Sequence, residues 1–179
     1  MLVRKVHHVA YRCIDAKETV QWYEKHLGMN FVLAIAEDEV PSTQERDPYM
    51  HVFLDAGHGN VLAFFELPTK PPMGRDPNTP AWVQHIAFRV KDRAELLEFR
   101  DHLQAHGVEV LGVTDHGAFH SIYFFDPNGH RVELACPDPE EESMIRRLDA
   151  VKWDMLEEWS KTKRAPKHAA FLHEREFRH

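Results

Sequence analysis

Two histidines of this chain head near-identical strand-like words, HVAYR at His8 to Arg12 and HIAFR at His85 to Arg89. A carboxylate, Glu133, sits in a further apolar run, RVELAC, just behind the turn sequence Asp126-Pro127-Asn128-Gly129. Alternate residues of a strand share a face. His8, Ala10 and Arg12 therefore project together, as do His85, Ala87 and Arg89. Val9, Tyr11 and Cys13, like Ile86, Phe88 and Val90, take the side that a helix would cover. In the last run Val132, Leu134 and Cys136 take the covered side, leaving Arg131, Glu133 and Ala135 opposite. Two imidazoles and one carboxylate on one face form a donor set that holds one side of a divalent metal and leaves the other positions open. Fe(II) suits that set best, and Mn(II), Zn(II) or Ni(II) can occupy it. A lone strand histidine would read as a polar residue on a wet sheet face. Two at matched repeat positions, with Glu133 behind a tight turn, point to metal instead.

The elements that position these residues repeat as well. Each histidine is followed seven residues later by Asp15 or Asp92, and each aspartate three residues later by Glu18 or Glu95. Asp-x-x-Glu before an apolar-periodic run is a helix start. The spacing predicts helices over 16–27 and 93–106, stopped by Gly28 and Gly107, with Val20, Tyr23, Leu27, Leu96, Phe99 and Leu103 inward. Strands are expected at 29–36 and 108–113, and each copy ends in a hairpin. Asp126 at position i, Pro127 at i+1 and Gly129 at i+3 are type I turn preferences. The unit is strand, helix, strand, strand, strand, written twice. The expected organisation is a first module over 1–67, a Pro-rich linker over 68–80, a second module over 81–137, and a C-terminal helix and tail over 138–179. In that last segment Asp138 reads as N-cap and Pro139 as first helical residue, followed by Glu140 to Glu142. Met144, Ile145, Leu148, Val151, Met155, Leu156 and Trp159 form an apolar stripe that should pack on this chain or a partner copy. Beyond Lys161 the tail is basic and expected to be loosely held.

Composition narrows the function classes. Lys plus Arg number 22 against 29 Asp plus Glu, a net charge of -7, which disfavours nucleic acid and anionic membranes as partners. Two cysteines, Cys13 and Cys136, with no apolar leader or spanning run, imply free thiols and a cytoplasmic setting. The 14 histidines are many, and clustered histidine often accompanies metal or proton chemistry.

The paired βαβββ pattern with His8, His85 and Glu133 resembles the vicinal oxygen chelate superfamily, which holds glyoxalase I, bleomycin-resistance and fosfomycin-resistance proteins and type I extradiol dioxygenases. The likeness covers residues 1 to about 137. It implies an α+β fold of two tandem βαβββ modules forming a concave mixed sheet, plus the C-terminal helix. The stretch TDHGAFHSIYFFDPNGHRVE, Thr114 to Glu133, further resembles the extradiol signature through His116, Ile122-Tyr123, Asp126-Pro127-Asn128-Gly129 and Glu133. That resemblance implies Fe(II)-dependent ring cleavage of a small aromatic, catechol-type substrate by dioxygen. His8, His85 and Glu133 would be the ligands, His116 the acid-base residue and Tyr123 a hydrogen-bond donor, in a homo-oligomer. Many relatives place another catalytic histidine shortly before the second metal histidine, where residues 67–84 have none; His51 or His58 would have to stand in. Two other readings stay open. Matching FFELP to VELAC makes Glu66 a fourth ligand of a glyoxalase-like isomerase or lyase, whereas matching Gly59 to Gly129 puts Ala63 opposite Glu133. A metal-free protein binding a hydrophobic ligand or drug would keep the cup without needing the histidines.

Overall fold

The computed structural model describes residues 2–171, so the tail beyond them lies outside the described residues. The elements run β1 (Val9–Cys13), α1 (Ala16–Leu27), β2 (Asn30–Glu37), β3 (Tyr49–Asp55), β4 (Val61–Glu66), β5 (His85–Arg89), α2 (Arg93–Ala105), β6 (Leu111–Asp115), β7 (Phe119–Phe125), β8 (Arg131–Pro137) and α3 (Glu141–Thr162), with a short 3-10 turn at Lys167–Ala169. Strand, helix and three strands therefore occur twice. They make two four-stranded sheets of the same order, β1-β4-β3-β2 and β5-β8-β7-β6. β1 runs parallel to β4, and the β2–β3 and β3–β4 pairs are antiparallel. This is the α+β architecture of tandem βαβββ modules. The described residues form two compact units, one of residues 2–84 with 125–131, the other of residues 85–124 with 132–171.

Local chemistry accounts for most boundaries. The Asp15 carboxylate accepts the Glu18 N–H at 2.8 Å and starts α1, and Gly28, at φ 64, ends it. Asp92 does the same for Glu95 at 3.0 Å. α2 stops at Ala105, and His106 caps it rather than extending it. The following strand starts later than its apolar residues suggest. The Val108 N–H is still bonded to the Leu103 carbonyl at 3.0 Å, and only at Leu111 does the chain join β7, with a register shift between Gly112 and Thr114. Each core lies under its helix: Tyr23, Leu54, Leu62 and Phe64 in the first unit, and Leu96, Leu103, Ile122 and Val132 in the second, all fully buried.

One expectation for the C-terminal helix needs correction. Asp138 and Pro139 form a turn ahead of α3, where Asp138 accepts the Glu140 N–H on its side chain and the Glu141 N–H on its carbonyl, both at 2.9 Å. Within this chain the stripe is partly covered, with Leu148, Val151 and Met155 half-buried. Met144 is 4% exposed, but Ile145, Leu156 and Trp159 are 53%, 58% and 47% exposed. A 22-residue helix is about 33 Å long, whereas a 7-residue strand spans about 23 Å, so α3 outruns any sheet of such strands.

The first unit is closed by the β7–β8 turn, residues 125–131. Buried Asp126 accepts the Tyr23 hydroxyl at 3.1 Å on one oxygen and the Asn128 and His130 N–H groups, at 2.9 and 2.8 Å, on the other. The Asn128 side-chain oxygen accepts the Ile14 N–H at 2.8 Å, and His130 donates to the Arg12 carbonyl at 2.6 Å. Burial first, then the Asp126 charge, pushes the Tyr23 hydroxyl well above its ordinary range. Tyr23→Phe should lower unfolding stability by about 1.5–3 kcal/mol, the scale of a hydrogen bond to a buried charge, read from urea denaturation midpoints. A change within error would show that Asp126 finds another donor. Both cysteines are free and buried, and burial pushes the Cys13 thiol up to about 11, leaving it unreactive near neutral pH.

Candidate metal centre

In the second unit β8 lies between β5 and β7, so Glu133 sits between the strand that begins with His85 and the strand that carries Tyr123. The His85 Nε2 is 3.0 Å from the Glu133 Oε2, and the two side chains are 32% and 5% exposed. The other carboxylate oxygen, Oε1, accepts from the Tyr123 hydroxyl at 3.2 Å and from the Ser121 hydroxyl. His116 Nε2 lies 2.7 Å from the Tyr123 oxygen. Proton directions follow from what each group can do. An ionised carboxylate only accepts, so the Tyr123 O–H points at Glu133, and His116 carries its proton on Nε2 and donates to the phenolic oxygen. The row runs His116, Tyr123, Glu133, His85.

These residues fit a divalent cation. Glu133 is a buried carboxylate whose two hydroxyl donors occupy Oε1, which turns Oε2 toward an imidazole nitrogen. Donor atoms on a metal at bonds of about 2.1 Å, set at a right angle, lie about 3.0 Å apart. That is the separation of the His85 and Glu133 donor atoms. Ser121 and Tyr123 orient the carboxylate from behind, as partners of metal ligands do.

His8 belongs to the first unit, one residue ahead of β1. Its Nδ1 is 2.8 Å from that of His7, and its ring meets those of Phe53 and His51 at 5.5 and 5.8 Å. The two sheets differ at two matched positions of their central strands. β3 and β7 have the same burial pattern along all seven residues, and β4 and β8 agree over their first five. Ala63 thereby occupies the position of Glu133, and His51 that of Ser121. Where the second unit has a carboxylate and its hydroxyl donor, the first has a methyl group and an imidazole. His51 is 8% exposed, stacked on Phe65 at 3.6 Å and 18°, and its Nε2 has no partner. Burial, then neighbouring His8, lowers its pKa and keeps the ring neutral. His58, the alternative stand-in, is in the β3–β4 turn at φ 52.

Glu66 is placed elsewhere. Val9 pairs with Leu62 and Cys13 with Glu66, so Glu66 lies five residues along β4 from the level of His8, roughly 16 Å away. Its carboxylate accepts the Ala16 N–H at 2.8 Å and steadies the start of α1. The glycine alignment of the hairpins therefore describes the strands, and the four-ligand alignment does not.

His120 faces away from this row, toward Asp115 and Asp138 at 3.7 and 3.9 Å, as its parity requires. Ser121 was not singled out from sequence. Its odd number, shared with Tyr123 and Glu133, is the signal that would have found it.

The Glyoxalase/Bleomycin resistance protein/Dioxygenase superfamily model matches residues 5–134. The Bacillus subtilis (strain 168) protein "Putative ring-cleaving dioxygenase MhqA" is 30% identical over 88 residues, covering 49% of this chain and 28% of that protein. The chain thus spans well under two thirds of that relative. Trypanothione-dependent glyoxalase I of Leishmania major superposes with a TM-score of 0.59 at 24% identity, over 88% of this chain and 99% of its own. The fosfomycin resistance protein FosX of Listeria monocytogenes, in a complex with Mn(II) and sulfate, superposes with a TM-score of 0.56 at 18% identity, over 79% of this chain and 99% of its own. At these identities the two structures speak for the fold. No helix among the described residues is long and apolar enough to cross a membrane.

Proposed function

Because the chain belongs to the glyoxalase/bleomycin resistance protein/dioxygenase superfamily, we propose that it is a metal-dependent dioxygenase that opens the ring of a small catechol-type substrate. The observation that carries this reading is the row His116, Tyr123, Glu133, His85, in which a buried carboxylate faces an imidazole while a tyrosine and a second histidine stand behind it. The matched ring-cleaving relative supports the same direction. His85 and Glu133 would hold the metal together with His8, the matched histidine of the first repeat. Fe(II) bound there would supply a Lewis-acidic, redox-capable centre with positions open to both diol oxygens and to dioxygen. Ring cleavage beside the diol breaks one carbon–carbon bond and places both atoms of dioxygen in the product, so no external reductant is required.

The protein's own groups have separate tasks. Glu133 supplies negative charge and is kept in one orientation by Ser121 and Tyr123. The Tyr123 hydroxyl, held at its oxygen by the His116 N–H, can turn from Glu133 to a substrate oxygen and donate there. With Nδ1 protonated as well, His116 can return its Nε2 proton to the Tyr123 oxygen and be left as a neutral imidazole, a general acid–base role. The aromatic cluster of His51, Phe53 and Phe65 around His8 suits a flat, apolar ring.

The reading is tested by anaerobic purification, metal analysis and oxygen uptake with a panel of substituted catechols. Metal near one equivalent per chain, with oxygen consumed and a yellow ring-opened product formed, is the expected result. Metal without oxygen uptake across the panel would move the assignment to an isomerase or lyase. Glu66 separates the two further. Glu66→Gln should leave metal content unchanged and lower stability by about 1–3 kcal/mol through the weakened bond to the Ala16 N–H. Metal loss in that variant would restore the four-ligand reading.

A further inference from the structure

We propose that His102 and His106, at the C-terminal end of α2, form a separate binding site for a divalent transition cation that prefers imidazole, of the Zn(II) class. The two residues are one helical turn apart, so their side chains lie on one face of the helix. Their ring centroids are 4.4 Å apart at 44°, and a ring nitrogen of one lies within 4.8 Å of a ring nitrogen of the other. Two imidazoles at i and i+4 form a two-point clamp, the arrangement that helical metal motifs use for half of their ligands.

The second observation concerns the proton on His106. Its Nδ1 is 2.8 Å from the His102 carbonyl oxygen, which can only accept. Nδ1 therefore carries the hydrogen, and the lone pair of the neutral ring is on Nε2. A ligating histidine characteristically donates its other N–H to a backbone carbonyl, which fixes the tautomer and orients the ring. Here that preparation is already built.

The helix end adds a third contribution. His106 is the C-cap residue, at the helix end where the aligned peptide dipoles leave a partial negative charge that favours a cation. Water would complete the coordination. A bound ion would pin the last turn of α2 against fraying, just ahead of the Gly107 reversal.

This site is independent of the assigned reaction and distinct from the residues of β5 and β8. The test is a count of bound metal. Purified full-length protein without an affinity tag is dialysed against micromolar Zn(II), and total divalent metal per chain is measured by mass spectrometry. Wild type should hold one equivalent more than His102→Gln or His106→Gln. The deficit in each variant should reflect an affinity lowered by more than about tenfold. His85→Gln should retain the α2 equivalent, so failure of the β5–β8 centre and failure of this one are told apart. Cu(II) in place of Zn(II) should give an electron paramagnetic resonance spectrum with nitrogen hyperfine structure that both α2 variants lose. If His102→Gln and His106→Gln bind as much metal as wild type, or if wild type holds only the equivalent that His85→Gln removes, the proposal is wrong.

Discussion

His85→Ala, Glu133→Ala and His8→Ala are each expected to lower metal affinity by about tenfold or more and, with it, abolish measurable oxygen uptake. Of the three, Glu133→Ala should be the most severe. It removes the negative ligand and also leaves the Ser121 and Tyr123 hydroxyls without their shared acceptor. Glu133→Gln is the informative companion, because it preserves the volume and one acceptor oxygen while removing the charge. Metal analysis should find Glu133→Gln closer to Glu133→Ala than to wild type. Full metal occupancy in both His85→Ala and Glu133→Ala would remove these residues from the ligand set. Loss of metal in those two with full occupancy in His8→Ala would remove His8 alone.

The second large effect separates holding the metal from moving a proton. Tyr123→Phe and His116→Ala should retain the metal and lose about 10²- to 10⁴-fold in kcat, the scale of general acid–base catalysis, with little change in KM. Tyr123→Phe deletes only the hydroxyl, so Ser121 still bonds the Glu133 carboxylate and the ligand stays oriented. His116→Ala removes the donor behind the phenol but not the phenol, and its loss should be the smaller of the two. Unchanged turnover in both would limit them to packing. Metal loss in either would make them supports of Glu133 instead.

Periodicity two made the row of His85, Glu133 and Tyr123 legible because the strands carry it. His85, Tyr123 and Glu133 are odd-numbered residues on three neighbouring strands, and parity alone predicted a common face. The helix ends were equally legible, since Asp15 and Asp92 bond the N–H groups that their spacing promised. What failed was less local. Asp138 looked like a cap, but it accepts the Glu140 and Glu141 N–H groups in a turn that precedes the helix. The α3 stripe has the right period, but period does not say whether this chain or a partner copy receives its exposed part. His51 was visible as a histidine and not as a residue at the Ser121 position, because that equivalence appears only when burial is compared strand by strand. Glu66 illustrates the same limit: two alignments of the hairpin were compatible with the letters, and the β1–β4 register decided between them.

The β7–β8 turn has a consequence for the order in which the protein can be made. Tyr23, Thr19, Ile14 and the Arg12 carbonyl are synthesised early, yet Asp126, Asn128 and His130, which bond them, come about a hundred residues later. The first unit lacks these partners until the ribosome has passed Arg131, 47 residues after Gln84, which takes roughly 2–9 s at ordinary elongation rates. During that interval the Tyr23 hydroxyl and the Ile14 N–H lack the acceptors that they have in the finished fold. A nascent chain arrested at Gln84 should therefore be protease-sensitive, and the same segment in a chain extended beyond Arg131 should not.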